Sequence, residues 1–562
     1  DSLNIIDRIT VEAWVNSENP NAEVMQSIIS KWSPLTTFDT FDAYDAGNTG
    51  GLNTKGFFGA VFDGRYVYFV PQYDGVSRHG KVLRYDTHGE FTDSENWCAY
   101  DAGNTSGLNT KGYYGAVFDG RYVYFVPRTD GLVMHSRVLR YDTEGEFTDE
   151  KSWSAHDAGN PVSYQAAAFD GRYIYFAPGY EGDFRALSGK VLRYDTKGEF
   201  TDNESYITYD AGNTMGLETK CYDGAVFDGR YVYFAPLDSI GMMLRYDTKR
   251  EFTDAESWSA YDARYVSGLK MGSCVGAVFD GRYVYFVPYA HSVVLRYDTN
   301  GEFTDKRSWN AYDAGNTDDL NTRGYDGAVF DGKYIYFIPF WEGEDLYKGF
   351  HGKVLRYDTT GKFTDEESWS AYDAGNTGGL ATVGFNGGAF DGRFIYFAPW
   401  REGTDPDGRI ISHGRVLRYD TIGGNASFSL RYMDYGHNGG LCGALPGPSF
   451  LVNTSKGVLN ARANRNLQPG IHQIVGVYDG SRIMLFIDGD LIAERTGTGT
   501  IQVNNVNIAI GRILNGLGYF DGVISEVRIS DTARSVDWIK TEYNNYRRPS
   551  RFYCIEREES LR

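Results

Sequence analysis

Two stretches of the chain set aromatic rings beside carboxylates. "FWEGEDLYKGFHG" (340–352) and "WREGTDPDGRIISHG" (400–414) bring Trp341, Tyr347 and Trp400 next to Glu342, Glu344, Asp345, Glu402, Asp405 and Asp407. Aromatic faces stack on the apolar CH faces of sugar rings while acids take the hydroxyls, so this mixture is the chemistry of saccharide binding. The same acids would supply a glycoside hydrolase with its carboxyl pair, about 5–9.5 Å apart, and Glu342 and Glu402 are then the first catalytic candidates. A plainer reading competes. "Tyr73-Asp74-Gly75", "Tyr180-Glu181-Gly182", "Trp341-Glu342-Gly343" and "Arg401-Glu402-Gly403" recur in register, as turn residues do.

Other polar groups also repeat. "DAGNTGGLNTKGF" (45–57) and its variants present Asn48, Asn104, Asn316 and Asn376, which are expected near a central channel and are suited to sugar hydroxyls. Gly, Asn and Thr also build turns by bonding their own backbone. A shortened "DAGNPVSYQ" (157–165) and an altered "DARYVSGLKMGSC" (262–274) argue against a ring of equal sites. His79, His135, His291, His351 and His413 occupy one place per repeat, with Ser188 and Gly241 in the other two. So spaced, they cannot share a metal ion whose ligands lie about 2 Å away, and a loop-fixing hydrogen bond is expected. Thr92-x-x-Glu95, repeated at Thr201, Thr253 and Thr364, reads as a capping box. No sialidase box, H-E-x-x-H or G-x-S-x-G is present.

These residues hang on a repeat. "FDGRYVYFVP" (62–71) and "VLRYDT" each occur seven times with small variations, but the linker "GEFTD" that should follow occurs six times. A period of 51 to 60 residues, with four short β-type runs per unit, points to a propeller. The seventh "VLRYDT" (416–421) never reaches a fourth strand, while an orphan fourth strand, "FDAYDAG" (41–47), precedes the first unit. The N-terminal strand is therefore expected to complete the seventh blade and close the ring, which leaves no open sheet edge.

Composition excludes some classes. Lys+Arg 55 against Asp+Glu 75 gives −20 over 562 residues, with no basic run, which speaks against nucleic acid. No apolar stretch reaches the roughly 18 residues of a membrane span. Five scattered Cys make neither a disulfide framework nor a zinc site. A Cys221–Cys274 bridge is conceivable, though free thiols come first, and the state of Cys442 and Cys554 stays open. Asn104, Asn203, Asn425 and Asn453 head N-x-S/T sequons.

Outside the repeats stand "ITVEAWV" (9–15), "QSIISKW" (26–32), "SFSLRYM" (427–433), "IHQIVGVYDGSRIMLFIDGDLIAE" (471–494), "VNIAIGR" (506–512) and "YFDGVISEVRIS" (519–530). In this order they resemble the laminin-G-like, concanavalin A-type jelly roll, with "YDGSRIMLFIDG" the most specific element. The family usually has a strand before "SLNI", so the chain is expected to be trimmed at its N-terminus. The resemblance implies a secreted or surface protein, with calcium sometimes held at a loop rim. The expectation is an all-β protein: a jelly roll in two parts (1–33 and 424–562) with a seven-bladed propeller (34–423) inserted. The functional expectation is a non-catalytic glycan-binding or adhesion protein of the cell surface, whose partners are polysaccharides or glycoprotein glycans. The alternatives are a polysaccharide-cleaving enzyme and a self-assembling subunit of a surface layer or filament.

Overall fold

An aspartate explains why the first hairpin of each repeat is so constant. In the computed structural model, Asp63 accepts the backbone N–H groups of Arg65 (2.8 Å) and Tyr66 (2.6 Å) and the Tyr68 hydroxyl (2.6 Å). Asp119, Asp170, Asp228, Asp280, Asp331 and Asp391 take the equivalent tyrosine hydroxyls in the other repeats. One carboxylate thus closes the Asp-Gly turn and pins the second strand. The structure describes residues 5–18, 26–32, 38–182, 186–238, 240–343, 349–421, 426–438, 441–445, 447–463, 465–502, 507–512 and 519–547.

Seven four-stranded antiparallel sheets result. Blade 1 is Phe57–Phe62, Tyr66–Pro71, Lys81–Asp86 and Trp97–Asp101. The first strands of the other blades begin at Tyr113, Val162, Tyr222, Cys274, Tyr325 and Phe385. Each first strand packs beside the next, and the seventh packs beside the first, so the ring is closed. Blade 7 takes its fourth strand from the N-terminal segment: Phe41–Asp45 pairs with Arg415–Asp420, Phe41 opposite Tyr419. The absence of a seventh linker is thereby accounted for.

The linkers form six short 3-10 turns, the first being Ser94–Asn96. The capping residue differs from the expected threonine. Asp93, one position later, accepts the Glu95 N–H, and Asp149, Asp202, Asp254, Asp305 and Asp365 do the same in their blades. A 3-10 turn is tighter than the α-helical turn that a capping box serves. Behind five of the turns a tryptophan is locked in place, as where Trp97 Nε1 donates to the Phe91 carbonyl at 2.9 Å, and behind the third Tyr206 donates its hydroxyl to the Phe200 carbonyl instead.

Blades are joined by arginine. Arg84, from "VLRYDT", lies 4.1 Å from the Tyr66 ring of its own blade and 4.3 Å from Phe147 in the linker of blade 2. The pattern runs through Arg140, Arg193, Arg245 and Arg296, each resting on the next linker's Phe. Blade 7 has no linker, and there Phe38 takes the linker phenylalanine's place, 4.3 Å from Arg356.

The remaining segments form two five-stranded sheets. One contains Ile9–Ser17 between Ile471–Tyr478 and Gly522–Ser530. In the other, Gln26–Trp32 pairs with Ala426–Asn438, Ile29 opposite Leu430, as the jelly-roll order requires. The chain divides into 1–34, 422–434 and 446–562 as one unit, and 35–421 with 435–445 as the other. Among the described residues of the first unit there is one α-helix, Val536–Arg547. Its Ile539 packs on Val475, Val477, Met484 and Phe486, and Tyr546 stacks on Trp14 at 4.0 Å. Glu12, on the Ile9–Ser17 strand, is 2% exposed and accepts from Gln473 Nε2 at 2.7 Å. The sheet is covered on that face too, and Glu12 is buried with its Gln473 partner.

Phe38→Ala should destabilise the propeller as much as Phe252→Ala does, each by about 3–5 kcal/mol. Denaturant unfolding followed by tryptophan fluorescence checks this. A near-silent Phe38→Ala would show that the segment only drapes over the ring.

Candidate functional site

One position breaks the uniformity of the blades. Lined up, the innermost strands read FFGAVF, YYGAVF, YQAAAF, YDGAVF, CVGAVF, YDGAVF and FNGGAF. The second letter gives Phe58, Tyr114, Gln165, Asp223, Val275, Asp326 and Asn386, and all seven meet at one place in the ring. A β-bulge puts them there. Pairing between first and second strands slips between Phe57 and Ala60, and at the equivalent places in the other blades. Bulges re-aim a side chain out of the sheet face. The following residue is glycine in six blades, with Gly59 at φ 86° and Gly276 at φ 86°. Here glycine also answers a close approach: a Cβ on Gly224 would stand 2.6 Å from the Gly276 Cα.

Above this glycine ring opens a cavity of about 380 Å³. Phe58, Tyr114, Tyr289, Phe340 and Trp400 form its aromatic wall, with Arg78, Arg128 and Arg401 among them. Phe58 meets Trp400 edge-on at 4.6 Å and Tyr114 at 4.7 Å. The Arg128 guanidinium lies 4.8 Å from the Tyr114 ring. Asn386 Nδ2 donates to Asp326 Oδ2 at 2.6 Å. Gln165 is 1% exposed and its Oε1 has no hydrogen-bond partner among the described residues.

Asp223 and Asp326 are the electrostatic feature of the cavity. Burial raises Asp223 to about 7, against the pull of Arg128 and the Tyr114 hydroxyl. Burial raises Asp326 well above the ordinary range, and the Asp223 charge raises it further. Burial thus favours the neutral, hydrogen-bond-donating form of both carboxyls.

The residues singled out by sequence lie in several places. Trp400 lines the cavity and is 6% exposed. Trp341 sits behind the cavity wall, partly buried against the Phe58, Tyr114, Phe340 and Trp400 cluster. Glu342 is tied to Lys353 Nζ at 2.5 Å, and Glu402 to Arg415. The same clamp joins Asp74 to Lys81 (2.7 Å) and Asp130 to Arg137 (2.9 Å), closing the loop between second and third strands. Asp405 accepts the Arg409 N–H at 2.8 Å within its own turn, and Asp407 is exposed. Glu344 and Tyr347 lie outside the described residues.

The asparagines are not near the channel. Asn48, Asn104, Asn316 and Asn376 start two-residue hairpins, Asn48 opposite Asn53. These hairpins reach the outermost strand of the following blade, where Ser106 Oγ accepts the Ala155 N–H at 3.2 Å and Asp318 Oδ2 accepts that of Ala371 at 2.8 Å. They cover sheet edges that would otherwise be open to pairing. The histidines fix loops: His79 Nε2 donates to the Lys55 carbonyl at 2.9 Å while Nδ1 accepts the Lys81 N–H at 3.2 Å. Ser188 does the second of these jobs in blade 3, accepting the Lys190 N–H at 3.2 Å. Cys221 and Cys274 are separate buried thiols. Among the described residues no group of three or more His, Cys, Asp or Glu side chains could hold a metal ion, and none of their helices is long and apolar enough to cross a membrane.

The seven bulge residues stand inside strands, where no loop or catalytic motif marks them. The signal was one variable column inside a strand, visible once the repeats are stacked.

Residues 407–540 match the profile of the Concanavalin A-like lectin/glucanases superfamily. The match falls on the second part of the sandwich and supports a laminin-G-like domain there. It begins within the last blade and covers less than half of the chain, leaving the other blades unmatched. A search of curated proteins gave no match. A concanavalin-like domain is consistent with carbohydrate binding or adhesion.

Burial lowers the His79, His135 and His351 pKa to about 4 and that of His413 to about 3. These rings are neutral in the fold, whereas unfolded histidine protonates near 6.5. Their contribution to stability is complete above about pH 6.5 and is lost as pH falls towards 4, on the order of 3 kcal/mol for each fully titrated ring. His79→Ser, copying blade 3, should therefore flatten the fall in denaturation midpoint between about pH 6.5 and 4.5. An unchanged slope would assign the acid sensitivity elsewhere.

Proposed function

We propose that the protein is a non-catalytic glycan-binding or adhesion protein acting outside the cell, and that it takes saccharide in the axial cavity of the propeller. The observation that carries this reading is the ring of second-position residues. A scaffold repeated almost letter for letter diverges at the one place where seven side chains meet. There it combines flat aromatic walls with amide, carboxyl and guanidinium groups. Sugar rings need this combination: CH faces stack on aromatics and hydroxyls satisfy buried polar groups such as the Gln165 carbonyl. The laminin-G-like domain supports the same assignment, as do the N-x-S/T sequons for an extracellular location.

One observation favours a second reading, cleavage of a polysaccharide. Burial raises both Asp223 and Asp326, as it does many acid–base catalysts. Glu342 and Glu402, clamped by Lys353 and Arg415, are poorer candidates for that role. The superfamily name covers both lectins and glucanases and does not choose between them.

Incubation with a polysaccharide panel, scoring both retention and chain length, separates the readings. We expect retention without shortening, and a loss of at least tenfold in affinity on Trp400→Ala. Shortened chains, with activity abolished by Asp223→Asn or Asp326→Asn, would establish the enzyme. Neither retention nor cleavage would leave the structural-subunit reading.

A further inference from the structure

The cavity is electrically lopsided. Arg401, Arg78 and Arg128 come from blades 7, 1 and 2, three neighbours in the ring, and all line the same space. The protein as a whole carries −20, so a cluster of three guanidiniums is not its default surface. Elsewhere in the propeller Arg65 pairs with Asp86 (2.7 Å), Arg121 with Asp142 (2.8 Å) and Arg137 with Asp130 (2.9 Å). Arg78 has no such ion pair among the described residues. Burial and the nearby Arg128 charge lower it to about 10, with only Tyr73 opposing. Burial also lowers Arg401.

The acids of the lining come from other blades. Asp223 and Asp326, from blades 4 and 6, are shifted towards their neutral forms by burial, and Asp326 also by the Asp223 charge, while Arg128 opposes both shifts. Asp238, also in the lining, is exposed and takes the Tyr180 hydroxyl at 2.6 Å. Cations kept partly out of water beside one another are costly unless an anion joins them. Guanidinium is the group that meets a carboxylate with two parallel hydrogen bonds.

We propose that the axial cavity binds an acidic saccharide, a sugar whose carboxylate is held by Arg78, Arg128 and Arg401 while its ring lies against Phe58, Tyr114 and Trp400. This rests on the glycan-binding reading and narrows it to one chemical class. Asn386 and a protonated Asp223 or Asp326 donate to ring hydroxyls, and Gln165 Oε1 accepts from one. At about 380 Å³ the cavity is at the small end of ligand pockets, which span about 300–1,000 Å³. That size suits a mono- or disaccharide unit, such as the end of a chain.

The test is calorimetric titration of the full chain with three acidic probes: digalacturonic acid, a glucuronic-acid disaccharide and sialyllactose. Their methyl esters, and the neutral sugars lactose and cellobiose, serve as controls. At least one acid should bind ten or more times tighter than its own ester and weaken as salt is raised. Arg128→Gln and Arg401→Gln should each reduce that binding at least tenfold with the thermal midpoint unchanged within a few degrees. Arg128 stacks on Tyr114, so its variant could disturb the wall. The acid-against-ester comparison uses the unaltered protein and does not depend on any variant. Equal binding of acid and ester, or preference for lactose or cellobiose, would overturn the proposal and leave the glycan reading standing. Silence with every probe would also overturn it, and the polysaccharide panel then decides the broader reading separately.

Discussion

The ring depends on an arginine held between two blades. In every "LRYD" strand the guanidinium lies over an aromatic ring of its own blade and over a phenylalanine of the next. Arg84 does so with Tyr66 and Phe147, and Arg418 with Phe394 (4.1 Å) and Phe91 (4.2 Å). Each contact is worth about 0.5–2 kcal/mol. The interface also includes Tyr68 against Tyr141 (5.6 Å) and Tyr44 stacked on Trp97 (5.1 Å). Because a ring has no ends, all seven interfaces must share one geometry, and a blade that departs from the pattern strains two of them. Near-identity of the blades is the consequence.

That uniformity confines variation to positions that face no neighbouring blade. Loop tips are one such place and the bulge at the axis is the other. The bulge residues face one another across the axis, so the interface constraint does not reach them, and there Phe, Tyr, Gln, Asp, Val, Asp and Asn replace one another. They stand on strands rather than loops, and the glycine ring behind them holds their spacing. Rigid elements of this kind hold a binding constellation more closely than loops do. The two buried aspartates cost stability, a cost tolerated because the seven interfaces are intact around them.

Much of the architecture was legible without coordinates. The count of seven hairpins, seven third strands and six linkers contains the closure of the ring, and Phe41–Asp45 pairs where that arithmetic puts it. The order of sandwich strands identified the laminin-G-like part for a similar reason, since a jelly roll fixes which strands neighbour which. Local chemistry was read less well. Thr92 has the spacing of a capping box, but a 3-10 turn brings Asp93 to the cap instead.

The sequence by itself determined the elements, their number and their order, because those follow from periodicity, turn chemistry and repetition, all local along the chain. Only the tertiary structure decided which side chains meet. Asn48 and its counterparts, which look like a central ring, go to the rim because their hairpins fold outward onto the next blade's last strand. Phe58, Asp223, Asp326 and Asn386, up to 328 positions apart in a 562-residue chain, converge because a bulge turns each towards the axis. Burial and proximity then set their protonation, and neither property exists until the ring has closed.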